Sequence, residues 1–220
     1  MTKIIAFEGI DGTGKSIQME NLRARLTARG LRVAVISFPI YSSFFGGEVG
    51  RLLSGKDAVR ADQVPGKSMA LWFALDRFEA FQNFDYSGAD VLLINRYVLS
   101  NAVYQSIRDC DLGKPDILDF VLALEFDHFH IPSPDVHLVL DMSVDDAAGN
   151  VEKKGFRDYV GNDKDVYEAI PTLQERARRK YRAYADRLDN VLLIPCMEGN
   201  TLKSIDAIGC LIDGALNSIL

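Results

Sequence analysis

The sequence predicts an α/β fold in three layers, with a five-stranded parallel sheet and helices on both of its faces. Two observations carry this prediction. Five short apolar runs recur along the chain, and none of them alternates apolar with polar residues as a half-exposed strand would. Segments with the three- and four-residue spacing of helices separate these runs. Strands that alternate with helices form parallel sheets, whose strands are buried on both faces.

The five predicted strands follow one another at residues 4–7, 33–38, 91–94, 136–140 and 191–194. Helices are predicted between and after them at residues 16–29, 67–84, 115–129, 172–188 and 202–220. In the first helix, Met19, Leu22 and Leu26 fall on one face, and Gly30 follows as a C-cap. No linker rich in proline, serine or glycine and no internal repeat divides residues 1–220, which we therefore interpret as one domain.

The composition predicts a soluble protein of the cytoplasm, with neither nucleic acid nor a membrane as a partner. A net charge of −6 over 220 residues gives no basic footprint for nucleic acid, although backbone amides in an acidic protein can still bind phosphate. The three cysteines form no CxxC pair, so we expect neither a disulfide framework nor a zinc site. The first apolar run is too short for a signal peptide, so we expect none, and no apolar run reaches the roughly 20 residues that span a bilayer.

A glycine-rich motif lies between the first predicted strand and the first predicted helix. The phosphate-binding P-loop pattern GxxxxGK[ST] is matched by Gly9, Ile10, Asp11, Gly12, Thr13, Gly14, Lys15 and Ser16. Together with Ile17, these residues are predicted to bind ATP. The N–H groups of such a loop point inward around an anion, and the helix N-terminus adds a partial positive charge. We expect Lys15 to reach the β- and γ-phosphates and the Ser16 hydroxyl to ligate Mg²⁺.

A P-loop occurs in GTPases, in ATPase motors and in small-molecule kinases. The length of the chain leaves little room for the accessory elements of a motor. No NKxD-like tetrapeptide follows the fourth or fifth strand to recognise guanine. Polar and aromatic residues also lie where a second substrate would bind. These features favour a kinase.

The residues for a second substrate come from two segments. Phe73 and Arg77 are four apart on a predicted helix, so a ring and a guanidinium share one face. Taken alone, such a pair is more often a core phenylalanine beside a surface arginine. Arg96 follows the third strand, at the edge where open α/β sheets bind ligands, and can grip a phosphate. Asn101 and Tyr104 can face the same pocket if their segment is helical.

These segments together resemble the thymidylate kinase family, and its bacterial members in particular. The matching segments keep their order and approximate spacing over most of the chain: FEGIDGTGKS (7–16), FPIY (38–41), LWFALDR (71–77), NRYVLSNAVY (95–104), LEFDHFHIPSPD (124–135) and DVYE (165–168). The resemblance implies the fold of the P-loop nucleoside monophosphate kinases. It also implies that ATP and dTMP react to give ADP and dTDP, with Mg²⁺ as cofactor, in the biosynthesis of dTTP.

The resemblance implies roles for the residues that would contact the base and the sugar. Phe73 stacks on the thymine ring, and Arg77 donates to a thymine carbonyl. Asn101 hydrogen-bonds the edge of the base. Tyr104 crowds the 2′ position of the sugar and thereby favours deoxyribose.

Other implied roles concern the phosphates and the metal. Arg96 and Tyr41 hold the acceptor phosphate, and Tyr167 completes the substrate site. Asp11 and Glu168 act near the metal or the sugar 3′-hydroxyl, and Asp11 is counted with the substrate-binding residues as well. The predicted catalytic residues are Lys15, Asp11, Arg96 and Arg157.

Residues 153–165 are polar and punctuated by glycine, which is typical of a surface loop. The resemblance favours a sharper interpretation, a lid that closes over the phosphates. Gly12 stands where some family members place a catalytic arginine, and members without it supply one from the lid. Arg157 is then the candidate that neutralises charge on the transferred phosphoryl group.

Three positions depart from the family pattern. Asn95 replaces an aspartate beside the phosphate site, and Ile40 replaces an arginine that would face phosphate. In residues 147–154, Asn150 and two lysines stand where arginines are usual, and lysine lacks the planar fork of arginine. These departures leave room for a slower or altered enzyme.

Two alternatives remain open from the sequence. One is a kinase for another acceptor, such as dGMP or a deoxynucleoside; Tyr104 with Phe73 and Arg77 favours a pyrimidine deoxynucleotide instead. The other is a nucleotide-binding protein with weakened catalysis, which Asn95 favours and the intact Lys15 opposes. The resemblance further implies a homodimer, and the apolar helix at residues 116–129 either supplies its interface or packs inside the monomer.

Overall fold

A computed structural model describes residues 1–151, 166, 167, 170 and 172–220. The strands are β1 (Lys3–Glu8), β2 (Val33–Ser37), β3 (Val91–Asn95), β4 (Val136–Asp141) and β5 (Val191–Pro195), followed by the short β6 (Met197–Glu198) and β7 (Thr201–Leu202). The helices are α1 (Lys15–Ala28), α2 (Phe44–Ser54), α3 (Gly66–Asn83), α4 (Val98–Asp111), α5 (Leu118–Leu122), α6 (Val144–Val151), α7 (Leu173–Ala185) and α8 (Ile205–Leu216). A 3₁₀ turn at Ala61–Gln63 precedes α3.

The predicted five-stranded parallel sheet is confirmed, and its strand order is β2-β3-β1-β4-β5. β1 lies at the centre, with Phe7 in register with Asn95 of β3 on one side and with Leu138 of β4 on the other. Successive residues of β1, β3 and β4 are buried. Because successive side chains of a strand point to opposite faces, both faces of the sheet are covered. Each predicted strand is found within one residue of its predicted ends.

Two groups of helices cover the sheet. In one group α1 packs on α8, and in the other α4 packs on α3, α5 and α7. The central helix α4 is buried along almost its whole length. This helix was not assigned from the sequence; we stated only what would follow if the segment were helical. Ser100, Asn101 and Gln105 interrupt the apolar pattern of this segment. These polar side chains are buried all the same.

The helix predicted at residues 115–129 forms in two parts. α5 begins at Leu118 and runs directly into a π-helical turn, Ala123–His128. Leu118 and Val121 are buried, whereas Phe120 is about one third exposed at 36%. This helix therefore packs one face inside the monomer and leaves another face open.

The end of the chain also differs from its prediction. The last helix begins at Ile205, not at residue 202, because Thr201 and Leu202 pair with β6 in a small antiparallel hairpin. Ser204 caps the helix by accepting a hydrogen bond from the Ala207 N–H. Helices α2 and α6 are further additions to the prediction. Among the described residues, we find no helix with both the length and the apolar character needed to cross a membrane.

Candidate active site

The P-loop connects β1 to α1 as the motif predicts. Gly14 ends the loop in the left-handed conformation, with φ at 81°, and α1 starts at Lys15. The Nζ of Lys15 is buried and donates to the carbonyl oxygens of Gly9 (3.1 Å) and Ile10 (2.7 Å). Ser16 is exposed in the first turn of α1. The lysine amine thus lies across its own loop, and the serine hydroxyl lies at the positive end of the helix.

Helix α6 packs directly on the P-loop. A Cβ atom at Gly12 would lie 1.9 Å from the carbonyl oxygen of Ala147, and φ at Gly12 is 83°. Asn150 of α6 also binds the loop, because its Nδ2 donates to the Gly12 carbonyl at 3.0 Å. Position 12 in this arrangement therefore accepts glycine and no larger residue.

A cavity of about 480 Å³ opens beside the P-loop. Its lining is polar in part, with the loop, Asn95 and Arg96, and apolar in part, with residues that include Ile17, Leu202 and Ile205. A cavity with both kinds of lining suits a nucleotide, whose phosphates bind polar groups and whose base packs on apolar ones. The hairpin and the start of α8, which supply Leu202 and Ile205, were assigned no function from the sequence.

A second cavity, of about 100 Å³, is lined in part by Asp11 of the P-loop. The residues that line it are Asp11, Phe38, Pro39, Tyr41, Leu53, Phe73, Arg77, Arg96, Tyr97, Ser100, Asn101, Tyr104, Gln105 and Tyr167. We call it the acceptor cleft. Every residue predicted to bind the second substrate is among them.

Among the described residues, Arg96 is the one that lines both cavities. Its backbone is left-handed, with φ at 59°, and its guanidinium forms an ion pair with Asp11. Burial alone would lower the pKa of Arg96, but the charges of Asp11, of Glu8 and of two nearby tyrosines together outweigh burial and hold this pKa well above its ordinary value. Arg96 is therefore a permanent cation at the junction of the two cavities.

Gln174, at the start of α7, joins the P-loop to α4. Its Nε2 donates to Asp11 Oδ2 at 3.1 Å, and its Oε1 accepts from the Asp11 N–H at 3.1 Å. The same Oε1 accepts from the Tyr104 hydroxyl at 3.1 Å. Gln174 thus links the P-loop aspartate to the tyrosine expected at the sugar. The sequence analysis missed it, because no local pattern connects residues so far apart.

Aromatic rings form the wall of the acceptor cleft. Tyr104 and Tyr167 stack with their planes 3° apart and their ring centres at 6.1 Å. Phe73 is partly buried against the core. Arg77 is buried. The pair is therefore not a core phenylalanine beside a surface arginine, which is the commoner arrangement. The structure brings both members of this pair to the cleft.

The inner end of the cleft carries a buried charged cluster. Glu125, from the π-helical turn, accepts two hydrogen bonds from Arg77 and one from Asn101 Nδ2. Burial alone would lower the pKa of Arg77, but the charge and hydrogen bonds of Glu125, with smaller contributions from Asp76 and Tyr97, outweigh burial and raise it above its ordinary value. Glu125 belongs to a segment that carried the family resemblance, yet no role was predicted for it.

Glu8, at the end of β1, fixes the start of α4. Its Oε1 accepts from the N–H groups of Tyr97 (3.0 Å) and Ser100 (3.2 Å). Burial alone would raise the pKa of Glu8, but interactions with His137, Ser100 and Arg96 outweigh burial and lower it. Glu8 therefore carries a negative charge at the N-terminus of α4, where a helix favours it. Sequence reasoning missed this residue, which stands in an apolar strand.

Comparison with known proteins decides the family. The sequence profile described as Thymidylate kinase matches residues 7–198, which is most of the chain. This chain belongs to the thymidylate kinase family.

Individual relatives agree with this assignment. The thymidylate kinase of Mycobacterium tuberculosis strain H37Rv is 32% identical over 185 residues, covering 83% of this chain and 85% of the relative. A probable thymidylate kinase of Methanococcus aeolicus is 32% identical over 186 residues, covering 82% of this chain and 78% of the relative. The predicted resemblance to bacterial thymidylate kinases is confirmed.

A solved structure supports the fold. The thymidylate kinase of Candida albicans superposes with a TM-score of 0.72, covering 99% of this chain and 92% of that chain at 19% identity. The predicted P-loop kinase fold of the thymidylate kinase family is therefore confirmed.

The structure does not bring all the predicted metal residues together. Ser16 lines the P-loop cavity, whereas Asp11 lines the acceptor cleft and is engaged with Arg96 and Gln174. Glu168, Arg157 and the predicted lid at residues 153–165 lie outside the described residues, so these remain predictions.

Proposed function

We propose that this chain is a thymidylate kinase, which transfers the γ-phosphoryl group of ATP to dTMP and releases ADP and dTDP. The single observation that carries the proposal is the position of Arg96. This cation lines both the P-loop cavity and the acceptor cleft, so a donor in one and an acceptor in the other would meet at its guanidinium. Membership of the thymidylate kinase family supports the same reaction.

The chemistry that this arrangement supports is direct in-line transfer by positioning and charge stabilisation. ATP phosphates would follow the P-loop amides, and Lys15 would leave the carbonyls of Gly9 and Ile10 to bind the β- and γ-phosphates. Arg96 and Tyr41 would hold the phosphate of dTMP. Because the acceptor phosphate is itself the nucleophile, the reaction requires no covalent enzyme intermediate.

The acceptor cleft suits the rest of dTMP. Phe73 would stack on the base, while Arg77 and Asn101 would bond its edge. Tyr104 is held by Gln174 at 3.1 Å and packed against Tyr167, so a rigid ring would stand at the 2′ position of the sugar. A fixed ring excludes a hydroxyl group there more effectively than a mobile one.

We propose that Mg²⁺ acts with ATP at the P-loop. The residues present fit such an ion: Ser16 supplies a hydroxyl at the N-terminus of α1, and Oδ1 of Asn95 is buried without a hydrogen-bond partner among the described residues. Ser16 would bind the ion directly, and Asn95 would accept from a water in its shell. The ion would supply positive charge that offsets the negative charge of the phosphates during transfer. A metal role for Asp11 and Glu168, and a catalytic role for Arg157, belong to this proposal as well.

We further propose a homodimer that works in the cytoplasm, where ATP and dTMP are found and the three free cysteines stay reduced. Exposed apolar side chains on α3 and α5 support the dimer, with Leu71 39% and Phe120 36% exposed. Sedimentation of the protein and of Phe120→Asp tests it. A dimer that the substitution dissociates is the expected result, and a monomeric parent protein would contradict it.

The function is tested by measuring ADP release with ATP and Mg²⁺ against dTMP, dUMP, dGMP and the ribose counterpart of dTMP. We expect dTMP to be preferred over its ribose counterpart, and Lys15→Ala to abolish release. Preference for dGMP would support the kinase for another acceptor. ATP binding without turnover on any acceptor would support the binding protein with weakened catalysis.

A further inference from the structure

We propose that Glu125 determines which pyrimidine the site accepts, although it does not line the acceptor cleft. By its hydrogen bonds it fixes one donor and one acceptor that Arg77 and Asn101 present to the base. Their order matches uracil-type bases, thymine among them, and opposes cytosine. This inference rests on the proposed function and adds a specificity-determining positioning residue to it.

Glu125 is completely buried and divides its two oxygens between two partners. Oε2 accepts from Arg77 Nε, and Oε1 accepts from Arg77 Nη2 at 2.5 Å. Oε1 also accepts from Asn101 Nδ2 at 2.9 Å. A single carboxylate thus orients both side chains that reach the base end of the cleft.

The contact with Glu125 leaves Arg77 one nitrogen for a ligand. Nε and Nη2 face the carboxylate as a fork, which is the geometry that a guanidinium and a carboxylate prefer. Nη1 donates to no acceptor among the described residues. Because Arg77 lines the cleft, Nη1 is a fixed hydrogen-bond donor for the base.

Asn101 presents an acceptor to the base, where Arg77 presents a donor. Its Nδ2 donates to two acceptors, the carbonyl oxygen of Ala70 at 3.0 Å and Glu125 Oε1 at 2.9 Å. An amide nitrogen has two protons, so both are used, and a flipped amide would set its oxygen against two acceptors. Oδ1 remains buried, and no described residue donates to it. A buried acceptor of this kind is satisfied only when a ligand donates to it.

The resulting donor–acceptor order selects the base. Thymine and uracil carry a C4 carbonyl, which accepts, next to an N3–H, which donates. Cytosine carries a C4 amino group and an unprotonated N3, so both atoms have the opposite character. Bound cytosine would face Arg77 Nη1 with a donor and Asn101 Oδ1 with an acceptor. Sites built to hydrogen-bond a substrate reject analogues that leave buried polar groups unpaired.

The test compares dTMP with dCMP in the parent protein, Glu125→Gln and Asp109→Asn. Asp109 is a matched control, since it is a buried carboxylate that accepts from the Gly66 N–H and has no bond to Arg77 or Asn101. Catalytic efficiency is measured by ADP release, and affinity for each nucleotide is measured by calorimetry. A thermal shift on addition of ATP shows that each variant retains its P-loop site.

We expect the parent protein to prefer dTMP over dCMP by more than about 100-fold. Glu125→Gln is expected to reduce this ratio at least tenfold, because one of the two acceptor oxygens becomes an NH2 group that faces a donor of Arg77 or Asn101. Asp109→Asn is expected to keep the ratio. A Glu125→Gln variant that loses activity equally toward both nucleotides, or keeps the parent ratio, would overturn the inference. Such a result would show that Glu125 only stabilises the fold.

Two further measurements keep the inference testable if Glu125→Gln does not fold. Glu125→Asp retains the charge but shortens the reach of the carboxylate, and it should also reduce the ratio. In the parent protein, dTMP methylated at N3 should bind at least tenfold more weakly than dTMP, because it has no proton for Asn101 Oδ1. Equal binding would overturn the inference while leaving the kinase activity intact. A parent protein that binds neither dTMP nor dCMP would instead contradict the proposed function, and the inference with it.

Discussion

Arg96 owes its place between the two cavities to the turn that follows β3. Its φ of 59° is unusual for a residue with a side chain and costs about 1 kcal/mol or more. Neighbours hold the turn: the Arg96 N–H donates to the Phe7 carbonyl at 2.9 Å, and the next N–H, of Tyr97, donates to Glu8. The sequence could predict an arginine at the end of this strand. It could not predict the turn, which depends on a buried carboxylate from another strand.

Residues that contact the ligand were easier to predict than the residues that orient them. Phe73, Arg77 and Asn101 were found through segments that resemble a family, and they do line the acceptor cleft. Gln174 and Glu125 act through other side chains, and their partners are distant in the sequence. A single sequence carries no signal for such a contact, because it forms only when the helices pack.

Gln174→Ala is expected to reduce the catalytic efficiency toward dTMP about tenfold, the effect of losing roughly 1.4 kcal/mol of hydrogen bonding. Tyr104 and Asp11 lose the side chain that joins them, so discrimination against the ribose nucleotide should weaken as well. Steady-state kinetics with both acceptors measures these effects. Gln82→Ala, an exposed glutamine on α3, is the control. Unchanged efficiency and unchanged sugar preference would show that Gln174 positions neither residue.

Asn95→Asp is expected to raise the turnover number with Mg²⁺ and ATP by about tenfold, within the roughly 1–3 kcal/mol of a charged hydrogen bond. Oδ1 of Asn95 is buried without a described partner and lines the P-loop cavity, so a carboxylate there would bind a metal-bound water more strongly. The measurement is turnover at saturating substrates. Asn190→Asp, at the opposite edge of the sheet, is the control. A rate that stays the same or falls would refute the assigned role.

At the scale of elements, the strands and the first helix were predicted well because they depend on local patterns. The apolar runs are buried on both faces, and α1 follows from the spacing of Met19, Leu22 and Leu26, all buried. α2 was missed, since its sequence FFGGEVGRLLS contains two adjacent glycines. In the structure Gly46 lies where a Cβ would be 2.0 Å from the Ile40 carbonyl oxygen, so the glycine serves tertiary packing. Local propensity cannot express that requirement.

Asp141 connects β4 to α7 through two arginines, and this contact leads to a prediction about stability. Asp141 ends β4 and accepts from Arg178 Nε at 2.7 Å and from Arg182 Nη2 at 2.5 Å. Burial alone would raise the pKa of Asp141, but the hydrogen bonds of Arg182 and Arg178 outweigh burial and lower it. Asp141→Asn is expected to reduce the free energy of unfolding at pH 7 by about 1–3 kcal/mol.

The same lowered pKa fixes how this contribution depends on pH. The contribution of Asp141 to the free energy of unfolding is fully present above the pKa of an unfolded aspartate, about 3.9. It is lost as the pH falls through the lower pKa that Asp141 has in the folded protein. Urea unfolding of both proteins at pH 7 and at successive values below pH 4 measures the difference. Asp119→Asn, which removes an exposed partner of Arg187, should have little effect at any pH. A difference for Asp141→Asn that persists undiminished at low pH would contradict the assignment.

At the scale of the whole molecule, both cavities lie at the carboxyl ends of the parallel strands. The P-loop follows β1, and Phe38 and Pro39 follow β2. Asn95 is the last residue of β3 and Arg96 follows it, and Met142 follows β4. This is the edge where open α/β sheets bind their ligands. The sequence predicted the edge from the strand pattern alone, whereas Leu202 and Ile205 were recognised as part of the P-loop cavity only once the hairpin and α8 were in place.

The central claim is that two cavities meeting at Arg96 bring a donor and an acceptor together, so that a phosphoryl group passes between nucleotides and not to water. Phosphorus NMR of the protein with ATP, Mg²⁺ and dTMP tests it most directly, because each product has its own resonances. We expect dTDP and ADP to appear in equal amounts, with no inorganic phosphate. ADP that forms together with inorganic phosphate while dTMP persists would contradict the claim.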